Sequence, residues 1–202
     1  HVAHAQAAIE AGLCSVAVVA YGSTQRSAGR KNASPREFNP YETPFKPFMP
    51  STAYAMAANR HMHEYGTTRE QLAEVAVAAR KWAQLNPVAF DQRPLDIAGV
   101  LNAKMVSYPF TVRDCCLVTD GGGAFVLVRA ERARDLPQKP VYVLGNATAN
   151  WNRQISSMHD LTVTSASQSG REAFAMAGLA PADMNVVQLY DAFTINTLLF
   201  LE

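Results

Sequence analysis

Cysteine is scarce, with 3 in 202 residues, two of them adjacent at Cys115 and Cys116. Three thiols do not make a disulfide framework, so a reducing, cytoplasmic setting is expected. Charge is also sparse, at 17% of residues with a formal net charge of +1. That balance gives no strong electrostatic footprint for nucleic acid or an acidic membrane surface. No apolar run approaches the roughly 18 residues of a transmembrane helix, so no membrane span is expected. Gly and Pro, at 11 each, exclude collagen-like and low-complexity classes. Chemical signatures are thin as well. His61 and His63 diverge on a helix, and His1 and His4 find no third ligand, so no metal site is expected. No G-x-G-x-x-G joins a strand to a helix, and no G-x-S-x-G elbow occurs.

Apolar content is ample: 49% of residues are hydrophobic. That excludes disorder for the chain as a whole and supplies a core. Residues 1–12 read as a helix stopped by Gly12. The valine-rich run Cys14–Tyr21 reads as a strand buried on both faces, which makes an α/β fold the expectation. Strands at 15–20, 124–128 and 186–190 are expected to be sandwiched by helices. A helix spans 51–65. Thr67 and Thr68, followed by Glu70 and Gln71, offer a capping box for the next helix, which presents Leu72, Val75, Ala79 and Trp82 on one face. Asp120 and three glycines suggest a sharp turn before the strand at 124–128, and VYVLG after Pro140 reads as another strand. Ser165–Ala177 is a helix ending at Gly178, and Asp191 or Thr194 caps the last helix.

The segment 22–50 differs in character. It holds five of the 11 prolines together with Arg26, Arg30, Lys31, Arg36 and Lys46. It reads as a long irregular excursion, either touching a ligand or a second subunit, or simply solvated. The chain opens on His1 and closes within an apolar helical pattern, so it reads as part of a longer protein.

The best candidate for chemistry is QLYDAFTI. A strand ending at Tyr190 and a helix starting by Thr194 place a phenol where ligands gather in α/β sheets. Helix N-termini there also offer free N–H groups. A phenol donates a hydrogen bond, or acts as a base if its pKa of about 10 is lowered. The competing reading is a buried tyrosine that merely packs.

Three segments occur in the order and spacing of the thiolase superfamily: HVAHAQAAIEAGLCSVAVVAYGSTQRS, DCCLVTDGGGAFVLVRAERA and AGLAPADMNVVQLYDAFT. The first resembles the helix and strand after the nucleophilic-cysteine loop. The second resembles the turn and strand closing the first half of the fold. The third resembles the segment carrying Asn-Glu-Ala-Phe in ordinary thiolases and His-Asp-Cys-Phe in sterol-carrier-protein thiolases. YGSTQRS and Tyr-Asp-Ala-Phe-Thr are most similar to the thiolase-like lipid-transfer proteins, including the aldolases of steroid side-chain degradation.

The resemblance implies a layered α-β-α-β-α thiolase fold of two similar halves. Residues 1–135 would belong to the first half, including loop 22–50, and 136–202 would begin the second. It implies a homodimer, a coenzyme A thioester as substrate with no separate cofactor, and an OB-fold partner protein. Tyr190 replaces the Asn of the thiolase oxyanion hole, which favours proton transfer in retro-aldol cleavage of a β-hydroxyacyl-CoA over Claisen chemistry. Cys116 takes the place of a small polar residue facing the pantetheine, and Ala192 and Phe193 would line the acyl pocket. Packing alone is the competing account of Cys116 and Ala192. A β-ketothiolase with its cysteine nucleophile outside this segment, and a non-catalytic lipid or CoA carrier, are the alternative functions.

Overall fold

The computed structural model describes residues 1–29 and 39–202. Arg30, Lys31, Pro35 and Arg36 of the proline-rich excursion lie outside the described residues. Two compact units make up the chain.

The first unit combines the chain start with Val118–Asn150 and Ser165–Val186. Helix α1, Val2–Glu10, closes at Ala11, and Gly12 follows with φ of 74°. Positive φ is open to glycine at no steric cost, which is why the helix can turn here into a strand. Strand β1, Val16–Ser23, pairs antiparallel with β4, Gly121–Val128, from Val16 opposite Val128 to Ser23 opposite Gly121. The three glycines therefore lie inside β4 and do not form the expected turn. A Cβ on Gly122 would stand 2.8 Å from the Tyr21 carbonyl oxygen, so close backbone approach explains the residue.

This ribbon is not buried on both faces, as the valine run had suggested. Val18 is 66% exposed and Val126 59% exposed. Among the described residues the pair forms a two-stranded sheet, and helix α1 packs on it. VYVLG and 186–190 carry strand-like sequence, yet neither joins a ladder. Apolar β-branched composition fits a buried pleated surface, but it forms a strand only where a neighbour completes the hydrogen bonds.

Within the same unit, Asp120 accepts from the backbone N–H of Arg26 at 2.7 Å and of Ser27 at 3.1 Å. Those groups open the short helix α2, Gln25–Ala28, whose own N-cap Thr24 makes no side-chain bond. The carboxylate fills the capping role from 94 residues away. The Arg129 guanidinium donates to the Ile9 carbonyl at 2.8 Å and ties the end of α1 to the end of β4. Helix α6, Ala130–Ala133, follows β4, and α7, Ala166–Ala177, ends at Gly178 with φ of 66°.

The second unit runs up to Leu117 and takes in Trp151–Thr164 and Val187–Glu202. Helix α3, Ser51–Tyr65, and helix α4, Arg69–Leu85, lie either side of Gly66. The Thr68 hydroxyl accepts from the Gln71 N–H at 3.3 Å, and the Gln71 side chain accepts from the Thr68 N–H at 2.8 Å. This is the capping box expected from the sequence. The buried face of α4 is Leu72, Ala73 and Val77, whereas Trp82 is 73% exposed. The apolar stripe is thus rotated from the one expected. Helix α5, Ile97–Leu101, is capped by Asp96, whose side chain accepts from Gly99 N–H. Strands β2, Met105–Ser107, and β3, Phe110–Thr111, pair antiparallel. The last helix, α8, spans Thr194–Leu201.

The core of this unit holds Ala55, Ala58, Leu72, Phe110, Ala192, Phe193 and Ile195. The Phe193 ring stacks on Tyr54 at 4.4 Å and on Phe110 at 5.6 Å between centroids. Stacked aromatics at such separations add to the burial of their area. His61 is buried as well. Its Nδ1 lies 2.7 Å from Thr67 Oγ1 and its Nε2 2.8 Å from Glu202 Oε2.

Candidate active site

The site grows from a short antiparallel contact between residues 114–116 and 192–194. Cys115 and Phe193 face each other as an isolated bridge. The Cys116 N–H donates to the Ala192 carbonyl at 2.9 Å, and the Thr194 N–H donates to the Asp114 carbonyl at 3.0 Å. These two bonds flank the bridge, as in the close, non-hydrogen-bonded pair of an antiparallel ladder. Successive side chains then point to opposite faces. Cys115 packs against the core with Phe193, and Cys116 is exposed.

The two thiols differ accordingly. Burial, reinforced by the Asp114 charge and Cys116, pushes the Cys115 thiol up to about 11, and its Sγ donates to the Thr111 carbonyl at 3.4 Å. Cys115 is therefore an inert packing thiol at neutral pH. All three cysteines are free.

Ala192 and Phe193 are buried, and both belong to the core beside α3. Tyr190 stands two residues earlier and is 70% exposed. It precedes α8 in an irregular stretch that pairs with no strand, so it does not end a sheet strand as expected. Its exposure removes the reading of a buried, packing tyrosine. The sequence thus brought Cys116 and Ala192 to one backbone contact, with Phe193 in the core directly behind.

Sequence reading missed Asp114. Neither Asp191 nor Thr194 caps α8: its N-cap is Phe193, which has no capping side chain. Asp114, 5% exposed, accepts instead from Thr194 Oγ1 at 3.1 Å, from Thr111 N–H at 2.7 Å and from Thr111 Oγ1 at 2.8 Å. The Thr-x-x-Asp spacing at 111–114 was a readable signal. The partner at 194 was not.

A second cluster lies in the same unit. Asp91 is ringed by Arg80 at 3.1 Å, Arg93 at 2.7 Å and Arg113 at 3.6 Å. The Arg93 hydrogen bonds, with Arg80 nearby, hold the Asp91 carboxyl well below the usual carboxylate range. Three guanidinium groups on one carboxylate leave a surplus of positive charge. An open groove of about 510 Å³ is lined here by Phe90, Asp91, Gln92 and Arg93. Arg113, which reaches Asp91 from this cluster, is three residues before Cys116 in the chain. No group of three metal-ligating side chains occurs among the described residues. Nor is any helix among them long and apolar enough to cross a membrane.

Comparison with known proteins shows what the chain is similar to. Residues 147–202 match the family model described as thiolase C-terminal domain-like. An acetyl-CoA acetyltransferase of Methanothermobacter thermautotrophicus is 41% identical over 150 residues, 74% of this chain and 39% of that protein. A 17-hydroxy-3-oxo-4-pregnene-20-carboxyl-CoA lyase of Mycobacterium tuberculosis is 33% identical over 222 residues, covering 100% of this chain and 56% of the relative. The solved Ltp2-ChsH2(DUF35) aldolase superposes with a TM-score of 0.86 at 33% identity, over 99% of this chain and 54% of that one. The chain thus spans from about two fifths to a little over half the length of these proteins. Its fold is thiolase-like, and the chain belongs to the thiolase superfamily.

Proposed function

We propose that the protein is an acyl-CoA carbon–carbon lyase that cleaves a β-hydroxyacyl-CoA, of steroid or other lipid side-chain type, by a retro-aldol reaction. The observation that carries this reading is Tyr190, an exposed phenol two residues from the Cys116–Ala192 contact. A base removes the proton of the substrate β-hydroxyl. The Cα–Cβ bond breaks, its electron pair passes to the thioester as an enolate, and the β-carbon leaves as a ketone. Protonation of the enolate at Cα gives a shorter acyl-CoA. Tyr190 serves one of these proton transfers, a role worth roughly 100- to 10,000-fold in rate.

Cys116 faces the pantetheine, and Ala192 and Phe193 back the acyl group. The groove at Arg93, next to the Arg80 and Arg113 pairs on Asp91, suits the phosphates of coenzyme A, because guanidinium forks match phosphate oxygens. The coenzyme is the substrate's own handle, with no separate cofactor. Coverage of the whole chain by the lyase relative and the aldolase structure supports this reading. We also propose that residues 1–135 and 136–202 belong to the two halves of the fold, that the protein is a cytoplasmic homodimer, and that it works with a partner like the one named in the aldolase structure.

The acetyltransferase relative, at 41% identity over 74% of this chain, favours a second reading: a β-ketothiolase with its nucleophile outside this segment. One assay separates them. The full chain with its partner is offered a tertiary β-hydroxyacyl-CoA, and separately a β-ketoacyl-CoA with free coenzyme A. Ketone release from the first supports the lyase. Thiolysis of the second alone supports the thiolase.

A further inference from the structure

Residues 187–193 contain no helix and no paired strand apart from the Cys115–Phe193 bridge, so little regular structure fixes where Tyr190 stands. A contact of one bridge and two hydrogen bonds also has few ladder bonds to hold its register, and a slip by one residue would turn every side chain over. The Cys115–Phe193 bridge with its two flanking bonds is such a contact. Burial of Phe193 favours this register, and a polar selector would reinforce it.

Asp114 has the properties of a selector. It is buried, and its side chain accepts three hydrogen bonds: two anchor it to Thr111 in β3, and the third comes from Thr194 Oγ1. Its main-chain carbonyl takes the Thr194 N–H as well. Thr194 opens α8, so the buried carboxylate also sits where a helix N-terminus favours negative charge. In a slipped register the carboxylate would lose the Thr194 hydroxyl and remain buried, which is costly for a charged acceptor. The alternative pairings are therefore penalised by one side chain.

We propose that Asp114 is a positioning residue. By locking Thr194 it sets the register of 114–116 against 192–194, and so constrains the segment that leads back through Ala192 to Tyr190. The inference rests on the reading of Tyr190 as the proton-transfer group.

The test uses the full chain with its partner and the variants Asp114→Asn, Thr194→Val, Tyr190→Phe and Asp114→Asn/Tyr190→Phe. Asp114→Asn keeps the volume but presents a donor to donors. It is expected to lower kcat roughly 10- to 100-fold while KM moves less than about threefold. In the Tyr190→Phe background the same change should cost almost nothing further, because the two residues act as one unit. Hydrogen exchange at the Cys116 and Thr194 amides should quicken in Asp114→Asn, while Leu72 and Ala73 in α4 keep their protection. An equal loss of kcat in both backgrounds would overturn the proposal, as would unchanged exchange at Cys116 and Thr194. Near-wild-type turnover of Tyr190→Phe with quickened exchange in Asp114→Asn overturns the catalytic purpose and leaves the clamp as a feature of the fold. If Asp114→Asn fails to fold, Thr194→Val, which removes one donor, carries the same comparison.

Discussion

The N–H of Cys116 donates to the carbonyl of Ala192 at 2.9 Å, and this bond joins the two segments in which the candidate chemistry lies. Its neighbour Cys115 points into the core and Cys116 points out.

That difference predicts thiol reactivity. With the Cys115 thiol pushed up to about 11, its thiolate fraction at about pH 8 is on the order of one in a thousand. Iodoacetamide should therefore label Cys116 well ahead of Cys115, as read by peptide mass spectrometry. A non-hydrolysable acyl-CoA analogue should slow the labelling of Cys116. Labelling at an unchanged rate with the analogue bound would place the pantetheine elsewhere.

Thr68→Ala removes the hydroxyl that accepts the Gln71 N–H and breaks the capping box of α4. A loss of about 1 kcal/mol in unfolding free energy is expected. Urea denaturation of both proteins measures it. A change within experimental error would mean that the first turn of α4 is held by packing alone.

Hydrogen bonds from Ser27, with those from the Arg26 backbone, hold the Asp120 carboxyl below its ordinary value. Its folded pKa is thus lower than its unfolded one. The stabilisation is full above about pH 4, where the unfolded carboxyl ionises, and disappears as pH falls through the lower folded value. Asp120→Asn should accordingly be less stable than the parent at neutral pH, with the gap closing in acid. Denaturant melts from about pH 7 down to about pH 2.5 measure this, and a gap constant with pH would contradict it.

Local signals were legible in the sequence. The α3 limits Ser51–Tyr65, the Thr68–Gln71 box and the Gly178 stop of α7 all depend on residues within a turn or two of each other. Thiolase-like order was legible from three short segments. What failed was long-range. The Val16–Ser23 and Gly121–Val128 strands form, but whether their faces are covered depends on elements far away in sequence, as does pairing at 141–145 and 186–190. The Asp120 cap of α2 spans 94 residues and the Asp114–Thr194 bond spans 80, so neither had a local pattern to reveal it. The Arg80, Arg93 and Arg113 cluster on Asp91 was hidden for the same reason: its members are ordinary surface-type residues until the fold gathers them.

The proposed role of the Tyr190 hydroxyl is to move a proton in carbon–carbon cleavage. Tyr190→Phe removes that hydroxyl with little change in volume. Steady-state cleavage of a tertiary β-hydroxyacyl-CoA by the full chain with its partner, parent against variant, tests it most directly. A fall in kcat of roughly 100- to 10,000-fold is expected, with binding of the acyl-CoA retained. Turnover near that of the parent would contradict it and remove Tyr190 from the mechanism.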